Sequence, residues 1–196
     1  QPERMPLLGP QTYVAPRGAV DGALRGGSAA LRAEAAKTAI ARAAAAGVVV
    51  AGFAENADRS VSIANSAGLW GHHEWTRGSF DCTARTTDGT GSGWAGGHSN
   101  RWSDLDVGVY AATAIDKALM ARAPRRLDPG RYSVVLEPAA VAELFGAMTE
   151  SFSARSADEG RSFFSKPGGG TRVGETLWPS AIAVRSDPAD TALSFP

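Results

Sequence analysis

The chain has a single cysteine, Cys82, among its 196 residues. That excludes an intrachain disulfide and suits a reducing, cytoplasmic setting. It also lacks an excess of charge: 20 Lys and Arg balance 20 Asp and Glu. With no net charge there is no electrostatic reason to track nucleic acid or an anionic membrane, so neither is expected as a partner. Long hydrophobic runs are missing too. The longest, Ala43 to Phe53, is broken by Gly47 and Gly52, well short of the roughly 18–20 residues of a membrane helix. No apolar signal segment follows Gln1-Pro2-Glu3-Arg4. Neither Gln1 nor Ser194-Phe195-Pro196 reads as a natural terminus, and a piece of a longer polypeptide is expected.

What is present reads as globular: 43% hydrophobic and 20% charged residues, with 23 Gly and 11 Pro marking many turns. Residues 1–28, with Pro2, Pro6, Pro10 and Pro16 and then Gly18, Gly22, Gly26 and Gly27, predict an extended arm. Ser28 to Ala46 is alanine-rich and predicts a helix that Gly47 stops. Val48 to Glu55 and the alternating Arg59 to Asn65 predict two strands with a turn at Asn56-Ala57-Asp58. Further strands are expected at His72 to Thr76, Ser79 to Thr87 and Gly91 to Asn100, with a turn at Asp88-Gly89. A second helix is expected from Ser103 or Asp104 to about Arg122. A buried strand follows at Tyr132 to Leu136, then a helix opened by Pro138 and running to about Phe152, and a last strand at Ala181 to Val184. The class is α+β: a largely antiparallel sheet with packed helices behind an N-terminal Pro/Gly-rich extended arm. The expected organisation is an arm (1–28), a helix-plus-sheet region (29–125) and the start of a second, peptidase-like domain (126–196).

From Val49 onward, the order of pieces resembles the middle of the TldD/PmbA family, metallopeptidase-related proteins known as modulators of DNA gyrase. The pieces are Asn65-Ser66-Ala67-Gly68, Leu105-Asp106, Leu127-Asp128-Pro129-Gly130-Arg131-Tyr132-Ser133-Val134-Val135-Leu136, Leu144-Phe145-Gly146, Ser162-Phe163-Phe164 and Asp187-Pro188. Each is loose alone; their order and spacing carry the likeness. The resemblance implies a zinc peptidase in active members, acting on unfolded peptides and paired with a related subunit that lacks the metal site. It also implies that more of the polypeptide, including a metal-binding cysteine, lies beyond Pro196.

Two imidazoles on one helical face and an adjacent Glu make a zinc-peptidase site, the Glu serving as base for the metal-bound water. The resemblance places His-Glu-x-x-x-His where this chain reads Phe145-Gly146-Ala147-Met148-Thr149-Glu150. Phe145 stands at the first His, Gly146 at the Glu and Glu150 at the second His. The expectation is therefore no catalytic residue and no cofactor in this chain, with zinc on a partner subunit. It resembles the PmbA-type subunit, forming a homo- or heterodimer with a TldD-like chain and binding unfolded peptide. An active enzyme with site residues outside this chain, and a non-enzymatic peptide-binding or regulatory module, are the other readings.

Candidate peptide contacts are His72, His73, Glu74, Trp94, Phe145, Glu150 and Ser162. His72 and His73 are adjacent and point to opposite faces of a strand, so they cannot readily share one ion. His72 and Glu74 share a face, and His98 is a possible third member of that group. Trp70, Trp75, Trp94 and Trp102 are candidates for an aromatic contact surface or for core packing. Cys82, between Asp81 and Thr83, reads as a half-buried thiol. Ser66 reads as a turn residue, Gly91 to Gly97 as no dinucleotide loop, Arg122, Arg125 and Arg126 as a solvated helix end, and Gly168 to Gly170 as a loop.

Overall fold

A computed structural model describes residues 6–13, 18–187 and 190 of the chain. They fall into two compact units, residues 1–126 with 187–196, and residues 127–186.

In the first unit, helix α1 (Gly22–Arg25) and helix α2 (Ala29–Ala45) precede three strands: β1 (Val48–Ala64), β2 (Trp70–Thr86) and β3 (Ser92–Ser99). A 3-10 turn (Trp102–Asp104) leads into helix α3 (Val107–Met120). The strands form one antiparallel sheet in the order β1-β2-β3. Gly47, at φ 66°, turns the chain from α2 into β1. The core face of the sheet carries the even-numbered residues of β1 and β2 and the odd-numbered residues of β3. Ala35, Ala39 and Ala43 of α2 and Ala111, Ala114, Ile115 and Ala118 of α3 meet Val48, Phe80, Cys82, Ala84 and Ala95 there. Small side chains let helix backbones come close. A Cβ built on Gly93 would strike the Ala114 carbonyl and lie 2.5 Å from Ala118 N.

The helices and the antiparallel sheet follow the sequence expectation, and several details differ. β1 is uninterrupted, where a turn was expected at Asn56-Ala57-Asp58. The polar side chains there are satisfied sideways. Asn56 donates to the carbonyls of Leu24 (3.3 Å) and Gly27 (3.5 Å), and Asp58 pairs with Arg25 at 3.1 Å. With those partners the backbone has no need to turn. His72 to Thr76 and Ser79 to Thr87 likewise merge into β2. Gly78 between them is the point where Trp102, Leu24 and Leu105 press on the strand, 3.0–3.2 Å from a Cβ built there. The N-terminal stretch is more than an arm: within it, Asp21 caps α1 and Leu24 is fully buried. Pro2 and Pro16 lie outside the described residues.

The second unit contains helix α4 (Pro138–Thr149), a 3-10 turn (Glu150–Phe152) and helix α5 (Ala154–Asp158). Proline at the first turn of α4 is as expected. The strands expected at Tyr132 to Leu136 and Ala181 to Val184 do not form. Val134 is 71% and Val135 100% exposed. A strand needs a ladder for its N–H and C=O groups, and among the described residues neither segment meets one. Among the described residues, no helix is long and apolar enough to cross a membrane.

Candidate functional site

The distal half of the β1–β2 ribbon carries a polar strip built by strand register. Ser62 lies opposite His72, and Asp58 opposite Thr76. The Ser62 hydroxyl and His72 Nδ1 are 2.8 Å apart, and His72 Nε2 is 3.4 Å from Glu74 Oε1. Arg25 reaches over from α1 to Glu74 at 2.8 Å and to Asp58 at 3.1 Å. The Arg25 guanidinium, and then His72, hold the Glu74 carboxyl below its ordinary range. Glu74 is thus an ionised hydrogen-bond acceptor already matched to a cation, which suits binding and not proton abstraction.

His73 points to the other face, as alternation requires, and stacks on Trp75 with ring centroids 5.3 Å apart. Trp94 shares that face eight residues along the ladder from Trp75, opposite Thr83. His98 does not join His72 and Glu74: it pairs with Ser79 and so belongs to the His73 face. Burial, and then Arg77, lower the His98 pKa. The tryptophans do not form one surface. Trp75 and Trp94 lie on the open face, Trp70 lies on the other face at the ribbon tip, and Trp102 packs against the core. Cys82 is 1% exposed, more buried than its sequence suggested, and burial pushes its thiol pKa up. Ser66 sits in a turn ordered by Asn65, whose side-chain oxygen accepts from the N–H groups of Ala67 (2.9 Å) and Leu69 (3.2 Å).

The second unit holds Phe145, Glu150 and Ser162. Phe145 lies on α4 and meets Phe152 edge-on at 5.9 Å; Phe152 meets Phe164 at 5.1 Å, and Phe164 meets Trp178 at 6.0 Å. These rings line an open hollow of about 770 Å³, together with Leu177, Val173 and Arg172. The sequence does not announce this aromatic cluster, because Phe152 and Trp178 are brought together only by the loops between them. Ser162 is committed internally: its hydroxyl donates to Ser151 O at 2.6 Å and accepts from Phe164 N at 3.1 Å.

Zinc does not fit the residues of this helix. Phe145 gives its ring to the aromatic cluster, Gly146 has no side chain, and Glu150 falls past the last residue of α4, in the 3-10 turn. Among the described residues no three His, Cys, Asp or Glu side chains are placed to hold a metal. Of the seven candidate residues, four lie in the first unit and three in the second.

Two family models match the chain, the PmbA/TldA metallopeptidase central domain over residues 25–122 and the PmbA/TldA metallopeptidase C-terminal domain over residues 129–195. No curated protein matches it. A solved Thermotoga maritima structure, named as that of a candidate modulator of a DNA gyrase, is similar in fold, with a TM-score of 0.59 and 19% identity. The likeness covers 66% of this chain and 31% of that one, so the chain spans less than a third of that protein's length.

Proposed function

The chain belongs to the PmbA/TldD metallopeptidase family, and we propose that it is a member without the zinc motif, which binds unfolded peptide for a zinc-bearing, TldD-like partner in a dimer. The observation that carries this reading is the place of Phe145. Where a metal ligand would stand on α4, there is an aromatic ring that joins Phe152, Phe164 and Trp178 around an apolar hollow. Such a hollow holds a bulky apolar side chain, the part of a peptide that unfolding exposes. The ionised Glu74 and the His72–Ser62 pair offer hydrogen bonds to a peptide's main chain from the ribbon of the first unit. The exposed apolar segment from Tyr132 to Leu136 meets no ladder among the described residues and is open to strand addition by another segment.

Trp178 tests the reading directly, since it is the sole tryptophan of the second unit and lines the hollow. Titration with an unfolded peptide rich in Phe and Leu is expected to change the emission attributable to Trp178, isolated by difference from a Trp178→Phe chain. Phe145→Ser is expected to weaken binding about tenfold. An equal response to a peptide with its apolar residues replaced by Ser would contradict apolar recognition in the hollow.

A further inference from the structure

We propose that the hollow of the second unit takes the C-terminal end of an unfolded peptide, with the last side chain among the aromatic rings and the terminal carboxylate on the Arg172 guanidinium. This rests on the reading of the hollow as a peptide site and adds the chemical feature by which it selects. The lining carries two guanidinium groups, Arg172 and Arg185, and one carboxylate, Asp158, beside the rings of Phe152, Phe164 and Trp178. Its charge is positive on balance, which favours an anionic ligand.

Arg172 is half-buried and held in place. Its N–H donates to the Phe164 carbonyl at 2.8 Å, beside the bridge between Ser165 and Thr171. Its guanidinium lies over the Phe163 ring, 5.6 Å from the centroid, and Nε reaches the Ser165 carbonyl at 3.5 Å. Among the described residues, neither terminal nitrogen has a partner and no carboxylate comes within ion-pair distance. Glu175 is near enough to feel the charge: Lys166, and more weakly Arg172, hold its carboxyl below the ordinary range. Yet Glu175 is taken by Lys166, at 2.9 Å. A guanidinium partly withdrawn from water and left with its fork open matches the two coplanar oxygens of a carboxylate.

An internal peptide residue offers this surface only an apolar side chain. A terminal one offers the side chain and the carboxylate together, and so uses both the rings and Arg172. The volume of about 770 Å³ is room for more than a single side chain. Residues before the last therefore lie at the mouth, and the bound chain has one direction, with its end innermost. Asp158 disfavours a second negative charge, so an acidic residue just before the end is selected against.

The test uses the full chain and an unstructured peptide ending in Leu-Phe, prepared both with a free C-terminal carboxylate and as the C-terminal amide. Isothermal titration calorimetry is expected to show the acid binding about tenfold tighter than the amide. Arg172→Gln should erase that difference by weakening the acid alone. Arg172→Lys, which keeps the charge and loses the planar fork, should restore part of it. Circular dichroism confirms the fold of each variant. Equal binding of acid and amide by the wild-type chain, with both still requiring the apolar residues, would overturn the carboxylate site and leave the apolar hollow standing. Failure of both forms to bind would remove the hollow as a peptide site as well. A preference for the acid that survives Arg172→Gln would overturn the role of Arg172. Tighter binding of dodecanoate than of the acid would overturn the peptide end as occupant in favour of a fatty acid.

Discussion

Phe145 and Phe152 meet edge to face, ring centroids 5.9 Å apart and planes inclined at 77°. One belongs to α4 and the other to the 3-10 turn that follows it, so the pair fastens the end of the helix to the loop lining the hollow. An aromatic pair of this kind contributes about 0.5–1.5 kcal/mol beyond its buried area. Phe145 is half-buried, so Phe145→Ala should destabilise the second unit by about 1–2 kcal/mol. Urea unfolding followed through Trp178 emission measures it. A Phe145→Ala chain that unfolds at the wild-type midpoint would show that the pair holds nothing.

Gly93 sets how closely α3 approaches the sheet. A Cβ there would enter the backbone of Ala114 and Ala118. Gly93→Ala should therefore cost about 1–3 kcal/mol in the first unit, while Gly146→Ala, whose added Cβ meets no atom within 4 Å, should not destabilise α4 and should favour helix. Thermal unfolding of the two variants separates crowding from a general effect of replacing glycine.

Asp88 reports on acid stability. Its carboxylate accepts from the Thr86 hydroxyl at 2.6 Å, and from the Thr90 N–H and hydroxyl at 3.0 Å each, which pulls its pKa down to about 2. A carboxylate whose pKa is depressed by folding contributes stability that is full above its unfolded value near ~4 and is lost as pH falls through the folded value. His98 has a lowered pKa, so the unfolded chain takes its proton more readily. Its contribution is full above an ordinary value of 6.5 and declines as pH drops below it. Stability should thus fall in two stages on acidification, one beginning below pH ~6.5 and one below ~4. Carboxyl and imidazole NMR titration checks both, and Thr86→Val should raise the Asp88 pKa. A Thr86→Val chain with Asp88 still near 2 would refute the hydroxyl as the main cause.

Asn56 ties the strand to the helices before it. Its amide donates to Leu24 and Gly27, and Arg32 donates to its oxygen. Asn56→Ala leaves those groups without their partner and should cost about 1–3 kcal/mol, with α1 losing amide-exchange protection first. Uniform protection in the variant would show that α1 is held by Leu24 alone.

Much of the fold was legible because its signals are local. The alanines at 35, 39 and 43 mark one helical face, Gly47 a stop, and Asp88-Gly89 a turn, and each needs only neighbouring residues to act. Asn56-Ala57-Asp58 misleads for the opposite reason. Its turn chemistry is cancelled by Leu24, Gly27 and Arg25, some thirty residues away, and no local pattern announces such partners. The strand expected at Tyr132 to Leu136 is a true apolar pattern without a ladder, since strand pairing is a property of two segments. For the site, the alternation that separates His72 from His73 could be read directly, as could the absence of imidazole at 145 and 150. The aromatic hollow could not, because loops of irregular structure assemble it.

Metal content tests most directly whether Phe145, Gly146 and Glu150 make a zinc site. The full-length protein would be purified alone and with any co-purifying chain, its metal content determined, and cleavage of an unfolded peptide followed in each preparation. The protein alone is expected to contain no stoichiometric zinc and not to cleave, while the complex with a His-Glu-x-x-x-His-bearing chain is expected to contain zinc and cleave. Stoichiometric zinc and cleavage by the protein alone would contradict that expectation.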